Sequence, residues 1–366
     1  MKGLRVIIAG GGTGGHIFPA VAVGHALQRL QPDTQLLFVG ANGRMEMEKV
    51  PQEGFEIKGL DIAGFNRSNL FANITLPYKL IKSRIRAKQI IKQFKPGAIV
   101  GVGGYASFPV LYAGQGMGIP TLIQEQNSFA GKSNKILAKL AKVVCVAYEG
   151  MDKFFPIGKI LLTGNPVRAN IARMNISSEA GKGHFGLDKS RQTILVVGGS
   201  LGAKSINESI DANLDELMSS DVQLIWQTGK LYYEQAAKRA VSFGDKIRVF
   251  EFIKDMDYAY SAADVVISRA GALAIAELCI AAKPVIFVPY PYAAEDHQTN
   301  NALALVNKNA AILIKDEDVK TELLGRLNGL LNDKSLQQIM AENLKALAIT
   351  DADERIAKKV IEIAIA

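Results

Sequence analysis

LRVIIAGGGTGGHIFP, residues 4–19, runs a short apolar stretch into a glycine-rich turn, and TILVVGGSLGAKS at 193–205 repeats the pattern in the second half of the chain. In each copy the apolar stretch (Leu4 to Ala9, Thr193 to Val197) reads as a buried strand. The glycines after it let backbone N–H groups approach an anion, with a helix N-terminus behind them. Two nucleotide-binding-like halves are expected. The first copy also carries His16, a side chain that exchanges a proton near neutral pH. A phosphate-tolerant loop beside such a group points to chemistry on a phosphorylated or nucleotide-linked substrate.

Outward from the two loops, strand and helix patterns alternate. Strands are expected at 4–9, 35–39, 98–102, 120–124 and 143–147, and again at 193–197, 222–227, 246–251, 264–267 and 284–288, with helices between. This is a doubly wound α/β pattern repeated twice. The polar stretch MNISSEAGKGHFG at 174–186 interrupts it, the hinge is expected near TGNPVR at 163–168, and Thr350 to Ala366 reads as one amphipathic helix.

A chain of 366 residues, 48% hydrophobic and 21% charged, can bury two full cores, which excludes a disordered protein. The apolar part of MKGLRVIIAGGG is too short for the core of a secretory leader, so a cytoplasmic chain is expected. Cys145 and Cys279 lie far apart in apolar surroundings without Cys-x-x-Cys spacing and read as reduced core residues.

The formal charge of +8 is local. Between Ile62 and Gln124 there is no acidic residue, while Arg67, Lys79, Lys82, Arg84, Arg86, Lys88, Lys92 and Lys95 are all basic. Outside that segment, 35 basic residues balance 35 acidic ones. Phe65, Leu70, Phe71, Ile74, Leu76, Tyr78, Leu80, Ile81 and Ile85 interleave with the charges, a pattern suited to an anionic membrane surface. The alternative is an amphipathic helix whose apolar face belongs to the core. Nucleic acid is disfavoured, because no stacking or binding motif accompanies the charge. The uncharged run from Pro96 to Gln124 is no membrane span: seven glycines with Pro109 and Pro120 divide it into buried strands and a short helix.

Gly10, Gly12 and Gly15 satisfy G-x-G-x-x-G, but a nicotinamide enzyme wants an acidic residue at the end of the second strand, where LLFVGANGR offers Asn42 and Arg44. Sugar transfer from a nucleotide donor accounts for more of the chain. In SRAGALAIAELCIAAKPVIFVPYPYAAEDHQTNNA at 268–302, a turn at Ser268 to Gly271 opens a helix whose first N–H groups suit a diphosphate without a metal. Glu277 is placed to accept hydrogen bonds from ribose hydroxyls, and Asp296, His297, Gln298 and Asn301 to read sugar hydroxyls. Individually, Glu277 also reads as a solvated helix residue and Gln298 as a capping group.

GGGTGGHIFP (10–19), GVGGYASFP (101–109), QEQNSFAGKSNK (124–135), GNPVR (164–168), GGSLGA (198–203), EFI (251–253) and the 268–302 stretch occur in one order. In this the chain resembles, end to end, glycosyltransferase family 28, the N-acetylglucosaminyltransferases of peptidoglycan synthesis. The resemblance implies a GT-B fold, two Rossmann-like doubly wound parallel-sheet domains with a deep cleft between them. Residues 1–165 would form an acceptor- and membrane-binding domain with helix 347–366 packed back on it, and 166–346 a UDP-GlcNAc-binding domain. The implied reaction is inverting transfer of N-acetylglucosamine from UDP-GlcNAc to the muramyl 4-hydroxyl of lipid I, giving lipid II for cell-wall growth, shape and division. The alternative is another UDP-sugar transferase of this fold acting on a different lipid or small acceptor.

On these residues, the resemblance implies that Thr13, Gly14, Gly15 and Asn127 face the donor sugar and the acceptor side. Arg168 and Ser200 would approach the diphosphate, the backbone of Ile253 would meet the uracil edge, and Arg269 would lie near the same pocket. Glu277 would hold the ribose, and His297 and Gln298 the N-acetylglucosamine hydroxyls. The helix start at Ala272 and Leu273 would stabilise departing UDP, and His16 would be the base. Ala274 stands where many members carry threonine, and Gln124 replaces a histidine often found before Glu125.

Asp255 with Asp257, Asp316 with Asp318 and Asp351 with Asp353 match the Asp-x-Asp of metal-dependent transferases. Each pair starts a predicted helix, where aspartate caps or favours the dipole, so neither a cofactor nor a protein-bound metal is expected. Leu76, Lys79, Leu80, Ile81, Lys82, Arg84 and Arg86 form the expected membrane patch, because lipid I is anchored in a bilayer. The expected location is therefore peripheral, on the cytoplasmic face of the bacterial inner membrane, with other cell-wall synthesis proteins as partners.

Overall fold

The computed structural model describes residues 3–62, 76–199 and 201–365, without the side chains of Leu76 and Pro77. Phe65, Arg67, Leu70, Phe71, Ile74 and Ser200, singled out above, lie outside the described residues.

The chain divides into two compact units, residues 1–168 with 351–366, and residues 169–350. The first is built on strands β1 (Arg5–Ala9), β2 (Gln35–Ala41), β3 (Ile57–Leu60), β4 (Ala98–Gly101), β5 (Thr121–Glu125), β6 (Val143–Val146) and β7 (Ile160–Leu162). All pair in parallel in the order β3-β2-β1-β4-β5-β6-β7. The second holds β8 (Gln192–Val197), β9 (Val222–Gln227), β10 (Ile247–Phe250), β11 (Val265–Ser268), β12 (Val285–Phe287) and β13 (Ile312–Leu313), parallel in the order β10-β9-β8-β11-β12-β13.

Both sheets reverse direction beside the strand that feeds a glycine loop, between β1 and β4 and between β8 and β11. In such sheets the crevice at the carboxyl ends of the strands flanking the reversal is where ligands bind. The glycine loops are therefore placed by topology as well as by composition.

Alternation along β1 shows how the sheet is covered. Val6 and Ile8 pack on Ile17, Val23 and Leu27 of helix Gly14–Leu30 and on Ile356, Val360 and Ile363 of the C-terminal helix Ala352–Ile365. Ile7 and Ala9 face Ala87, Ile90 and Ile91 of helix Leu76–Phe94 and Val110 and Leu111 of helix Ser107–Gln115. Burial on both faces explains why the strands read as continuous apolar runs. The second core gathers Ile194, Val196, Leu224, Trp226, Val265 and Ile267 with Leu323, Leu327 and Leu330 of helix Val319–Asn332.

Strands β3, β7 and β13 were not expected from the sequence, and each lies at the edge of its sheet or beside no further strand. The stretch 174–186 is not an irregular linker. It contains helix Ser178–His184, capped where Ser177 Oγ accepts from the Ala180 N–H at 3.2 Å. A Cβ on Gly181 would come within 2.5 Å of the Ala262 nitrogen, so glycine here serves close packing against helix Met256–Ala262.

Candidate active site

In the first unit, β1 ends at Ala9 and the loop of Gly10, Gly11 and Gly12 leads to Thr13, the N-cap of helix Gly14–Leu30. Thr13 does not cap with its side chain; its Oγ1 lies 3.2 Å from Nδ1 of His16 in the helix's first turn. His16 is half-buried. Its imidazole rests against Gly103 of the neighbouring loop after β4, where a Cβ would fall 2.8 Å from Nε2. Gly103, in left-handed backbone at φ +91°, thus leaves the ring its space. With the proton on Nδ1 donated to Thr13 Oγ1, Nε2 is the nitrogen able to accept a proton. Gly14 and Gly15 supply first-turn N–H groups that have no intrahelical acceptor.

The loop after β5 is held by buried polar groups. Both the backbone N–H and the side-chain amide of Asn127 donate to Glu125 Oε1, at 3.1 and 3.3 Å, while Gly131 N–H and Asn134 Nδ2 donate to Oε2 at 3.2 and 2.8 Å. Desolvation pushes the Glu125 carboxyl above its ordinary range against the effect of these donors. Gln126 Nε2 donates to the Val102 carbonyl at 2.7 Å and bonds Gln124 Oε1, Gln124 Nε2 donates to Asn165 Oδ1 at 3.0 Å, and Asn165 Nδ2 donates to the Gln126 carbonyl at 2.9 Å. Gln124, the departure from the family pattern, is thus integrated in an amide network joining the ends of β4 and β5 to the 163–165 segment. Asn127 is tied to this scaffold, and Arg168 stands half-buried at the end of the unit.

In the second unit, Gln227 clamps the second glycine loop: its Nε2 donates to the Gly199 carbonyl at 3.0 Å and its Oε1 accepts from Ile253 N–H at 2.8 Å. Ile253 is itself only 2% exposed.

Arg269 is spent on the fold. Its guanidinium donates to the Val288 and Pro289 carbonyls, each at 3.0 Å, to Ser205 Oγ at 3.1 Å and to Asp316. Ser205 begins the helix behind the second glycine loop (Lys204–Ala212), so Arg269 fixes that helix to the ends of β11 and β12.

Helix Ala272–Ala281 starts at the N-cap Gly271, leaving Ala272 and Leu273 in its first turn at the end of β11. One turn on, Glu277 is not solvated: it is 7% exposed and Oε2 accepts from Tyr260 Oη at 3.0 Å. Asp296 and Glu295 both adopt left-handed backbone (φ +51° and +55°), a strained turn that aims the start of helix His297–Val306. There Gln298 Oε1 accepts from Tyr290 N–H at 2.9 Å and His297 Nδ1 lies 2.7 Å from the Ala294 carbonyl. Asn301 is buried, with 0% exposure, and belongs to the core side of this helix.

One or both carboxylates of each Asp-x-Asp pair are engaged by the fold. Asp255 pairs with His184 at 3.2 Å, Asp316 with Arg269, Asp351 with Arg355 at 2.8 Å and Asp353 with Arg29 at 2.6 Å, while Asp318 is the N-cap of helix Val319–Asn332. Among the described residues, no group of three or more His, Cys, Asp or Glu is placed to hold a metal. Glu46, whose Oε2 accepts from Gly12 N–H at 2.8 Å, was missed by the sequence reading, as were Gln227 and Tyr260, because nothing local marks a polar residue whose partner is distant in the sequence.

Helix Leu76–Phe94 turns Ser83, Ala87, Ile90 and Ile91 inward. Tyr78 (69% exposed), Ile81 (63%) and Ile85 (55%) point outward with Leu80, Lys82, Arg84 and Arg86, so these apolar residues do not belong to the core; Lys79 is half-buried. Arg84 lies over the Tyr112 ring at 4.5 Å and Lys82 sits 3.5 Å from Asp61. Among the described residues, no helix is long and apolar enough to cross a membrane.

Two parallel Rossmann-like sheets, each with a glycine loop at its reversal point, make up a fold of the GT-B type. The N-terminal domain of glycosyltransferase family 28 matches residues 6–146 and its C-terminal domain residues 193–356. The chain belongs to glycosyltransferase family 28. It is 53% identical over 365 residues, 99% of this chain and 97% of the relative, to the UDP-N-acetylglucosamine--N-acetylmuramyl-(pentapeptide) pyrophosphoryl-undecaprenol N-acetylglucosamine transferase of Phocaeicola vulgatus. It is 51% identical over 362 residues to the protein of the same description from Cytophaga hutchinsonii, covering 99% and 97% of the two chains. The crystal structure of Acinetobacter baumannii MurG superposes with a TM-score of 0.78 at 32% identity over 98% of this chain and 99% of that one. A UDP-GlcNAc 2-epimerase from Neisseria meningitidis shares the fold at 14% identity and a TM-score of 0.67, over 98% and 100% of the chains.

Proposed function

We propose that this chain transfers N-acetylglucosamine from UDP-GlcNAc to the 4-hydroxyl of the muramyl sugar of lipid I, with inversion, giving lipid II. The observation that carries the reading is the similarity to transferases of that description along 99% of the chain. It is supported by a half-buried histidine at the reversal point of the first sheet and a helix start at the reversal point of the second.

The first unit takes the acceptor and the second the donor. His16 Nε2 removes the proton of the 4-hydroxyl as that oxygen attacks the anomeric carbon, and the bond from that carbon to the diphosphate breaks. Charge developing on UDP is met by N–H groups at Ala272 and Leu273 and by the second glycine loop with Ser200, and Arg168 approaches the same diphosphate. Glu277, oriented by Tyr260, accepts from the ribose hydroxyls; Ile253 meets the uracil; His297 and Gln298 read the sugar. Thr13 acts by orienting His16, Gly14 and Gly15 present first-turn N–H groups, and Asn127 reads hydroxyls on the acceptor side. Arg269 supports the donor pocket without touching the nucleotide. The protein works at the cytoplasmic face of the inner membrane, docked by Tyr78, Leu80, Ile81 and Ile85 with their flanking cations.

Incubating the chain with UDP-GlcNAc radiolabelled in the sugar and a lipid I analogue tests this. The expected product is labelled lipid II, with no transfer when the muramyl 4-hydroxyl is replaced by hydrogen. Donor binding without transfer to this acceptor would mean that another acceptor is used.

A further inference from the structure

Gln227 is the last residue of β9, the strand that lies between β10 and β8. It stands in register with Phe250 on one side and Val197 on the other, the last residues of those two strands. The chain beyond Val197 is the second glycine loop, and the chain beyond Phe250 runs to Ile253. A side chain at this position, 3% exposed, is therefore placed to reach both.

Its amide uses both ends. Nε2 donates to the Gly199 carbonyl at 3.0 Å, and Oε1 accepts from Ile253 N–H at 2.8 Å. The Gly199 carbonyl also accepts from Gly202 N–H at 3.1 Å, the bond that closes the loop, so Gln227 acts on the group that sets the loop's shape. Backbone bonds run the same way: Thr228 N–H donates to the Phe250 carbonyl at 2.9 Å and Gly229 N–H to the Glu251 carbonyl at 3.2 Å. A Cβ on Gly202 would run into the Thr228 carbonyl and one on Gly229 into the Leu201 carbonyl, so the loops after β8 and β9 pack backbone to backbone. A carboxylate at 227 would offer Gly199 no donor, and an ammonium would offer Ile253 no acceptor; an amide of this length satisfies both.

We propose that Gln227 is a positioning residue for the donor nucleotide: it fixes the spacing between the glycine loop after β8, which takes the diphosphate, and Ile253, which takes the base, so that both ends of one nucleoside diphosphate are met at once. That these two places receive a diphosphate and a base rests on the function proposed above; the bridge between them does not. A ligand held at two points gains over its parts only while those points keep the separation that the ligand spans. Gln227 supplies that separation from inside the sheet.

The test compares binding of UDP and of uridine to the full chain, without acceptor, in wild type, Gln227→Met and Gln227→Glu. Methionine is similar in length and volume and loses both bonds. In Gln227→Met, UDP affinity is expected to fall roughly tenfold or more, the fold-change of a buried hydrogen bond left unmade, while uridine, which lacks the diphosphate, binds within about twofold of wild type. In transfer, the same variant raises KM for UDP-GlcNAc and leaves KM for the lipid I analogue unchanged.

Glutamate gives a signature that damage to the fold would not. Ionised, it repels the Gly199 carbonyl; protonated, it donates to that carbonyl again. The UDP affinity of Gln227→Glu, taken relative to wild type at each pH, is expected to recover as pH falls from about 8 to about 5.5 and the buried carboxyl takes up its proton. Hydrogen exchange of the Gly202 amide, fast in Gln227→Glu at the upper pH, returns to the wild-type rate over the same range. Equal losses for uridine and UDP, wild-type UDP affinity in Gln227→Met, or no recovery in Gln227→Glu would overturn the role. If Gln227→Met does not fold, the pH profile of Gln227→Glu carries the test. Failure of wild type to bind UDP would instead contradict the donor reading, and Gly202 exchange would still decide whether Gln227 holds the loop.

Discussion

Arg269, at the end of β11, holds Asp316, Ser205 and two carbonyls at once, and through Ser205 it braces the helix behind the second glycine loop. Arg269→Ala leaves these groups without their donor and Asp316 without its counter-ion. A loss of about 2 kcal/mol is expected, less than for a fully buried pair because both side chains keep some water contact. Trp226, the single tryptophan and fully buried in the same unit, reports it in urea unfolding. If Arg269 contacted the nucleotide instead, UDP-GlcNAc affinity would fall with stability unchanged. Cys145 and Cys279 make a second residue-scale case: burial pushes both thiols up to about 12. Iodoacetamide at pH 8 should leave both unmodified in the folded protein and alkylate both in urea; fast labelling of either without denaturant would contradict their burial. Glu125 gives a pH signature. Its carboxyl is raised on folding, so the folded chain holds that proton more tightly than the unfolded one. Its contribution to stability is therefore fully present below the ordinary value of 4.5 and declines as pH rises from there towards the folded value. Hydrogen exchange of β5 measured upward from pH 4.5 should show the opening free energy of wild type falling relative to Glu125→Gln, and parallel curves would refute it.

Helix Leu76–Phe94 shows what sequence could and could not say about an element. Its cations and apolar residues were legible, but which apolar residues face the core depends on where the sheet lies; Ala87, Ile90 and Ile91 take that face and leave Tyr78, Ile81 and Ile85 outward. With Lys79, Lys82, Arg84 and Arg86 changed to glutamate, binding to vesicles containing phosphatidylglycerol should collapse, each basic residue contributing about 1 kcal/mol near an anionic surface. Since Lys82, Arg84 and Arg86 are exposed, UDP-GlcNAc binding should persist. Unchanged vesicle sedimentation would dismiss the docking face. Short edge elements were the hardest to read. β3, β7 and β13 have four, three and two residues; Lys58 and Gly59 interrupt the apolar pattern of β3, and β7 and β13 are too short for their apolar residues to mark a strand by themselves. Helix Ser178–His184 was hidden by Gly181 and Gly183, the first of which is glycine because Ala262 packs against it.

At the scale of the whole molecule, the two glycine loops revealed the repeated architecture because each lies where its sheet reverses, a position that sequence and topology both constrain. The central strands followed from their apolar runs. What the sequence withheld were long-range polar partnerships: Glu46 with Gly12, Gln227 with Ile253, Tyr260 with Glu277, and the amides of Gln124, Gln126 and Asn165. None has a local signature, because each partner lies far along the chain or on another element. Thr13 is the local exception, since its hydroxyl lies 3.2 Å from Nδ1 of the His16 ring. The most direct measurement is transfer of labelled N-acetylglucosamine to a lipid I analogue by wild type and His16→Ala, with UDP-GlcNAc affinity measured in parallel. Labelled lipid II is expected from wild type, and in His16→Ala a fall of roughly a hundredfold or more, the range general-base catalysis supplies, with donor affinity retained. Wild-type transfer by His16→Ala would contradict the role given to this histidine, and no transfer by wild type would contradict the reaction itself.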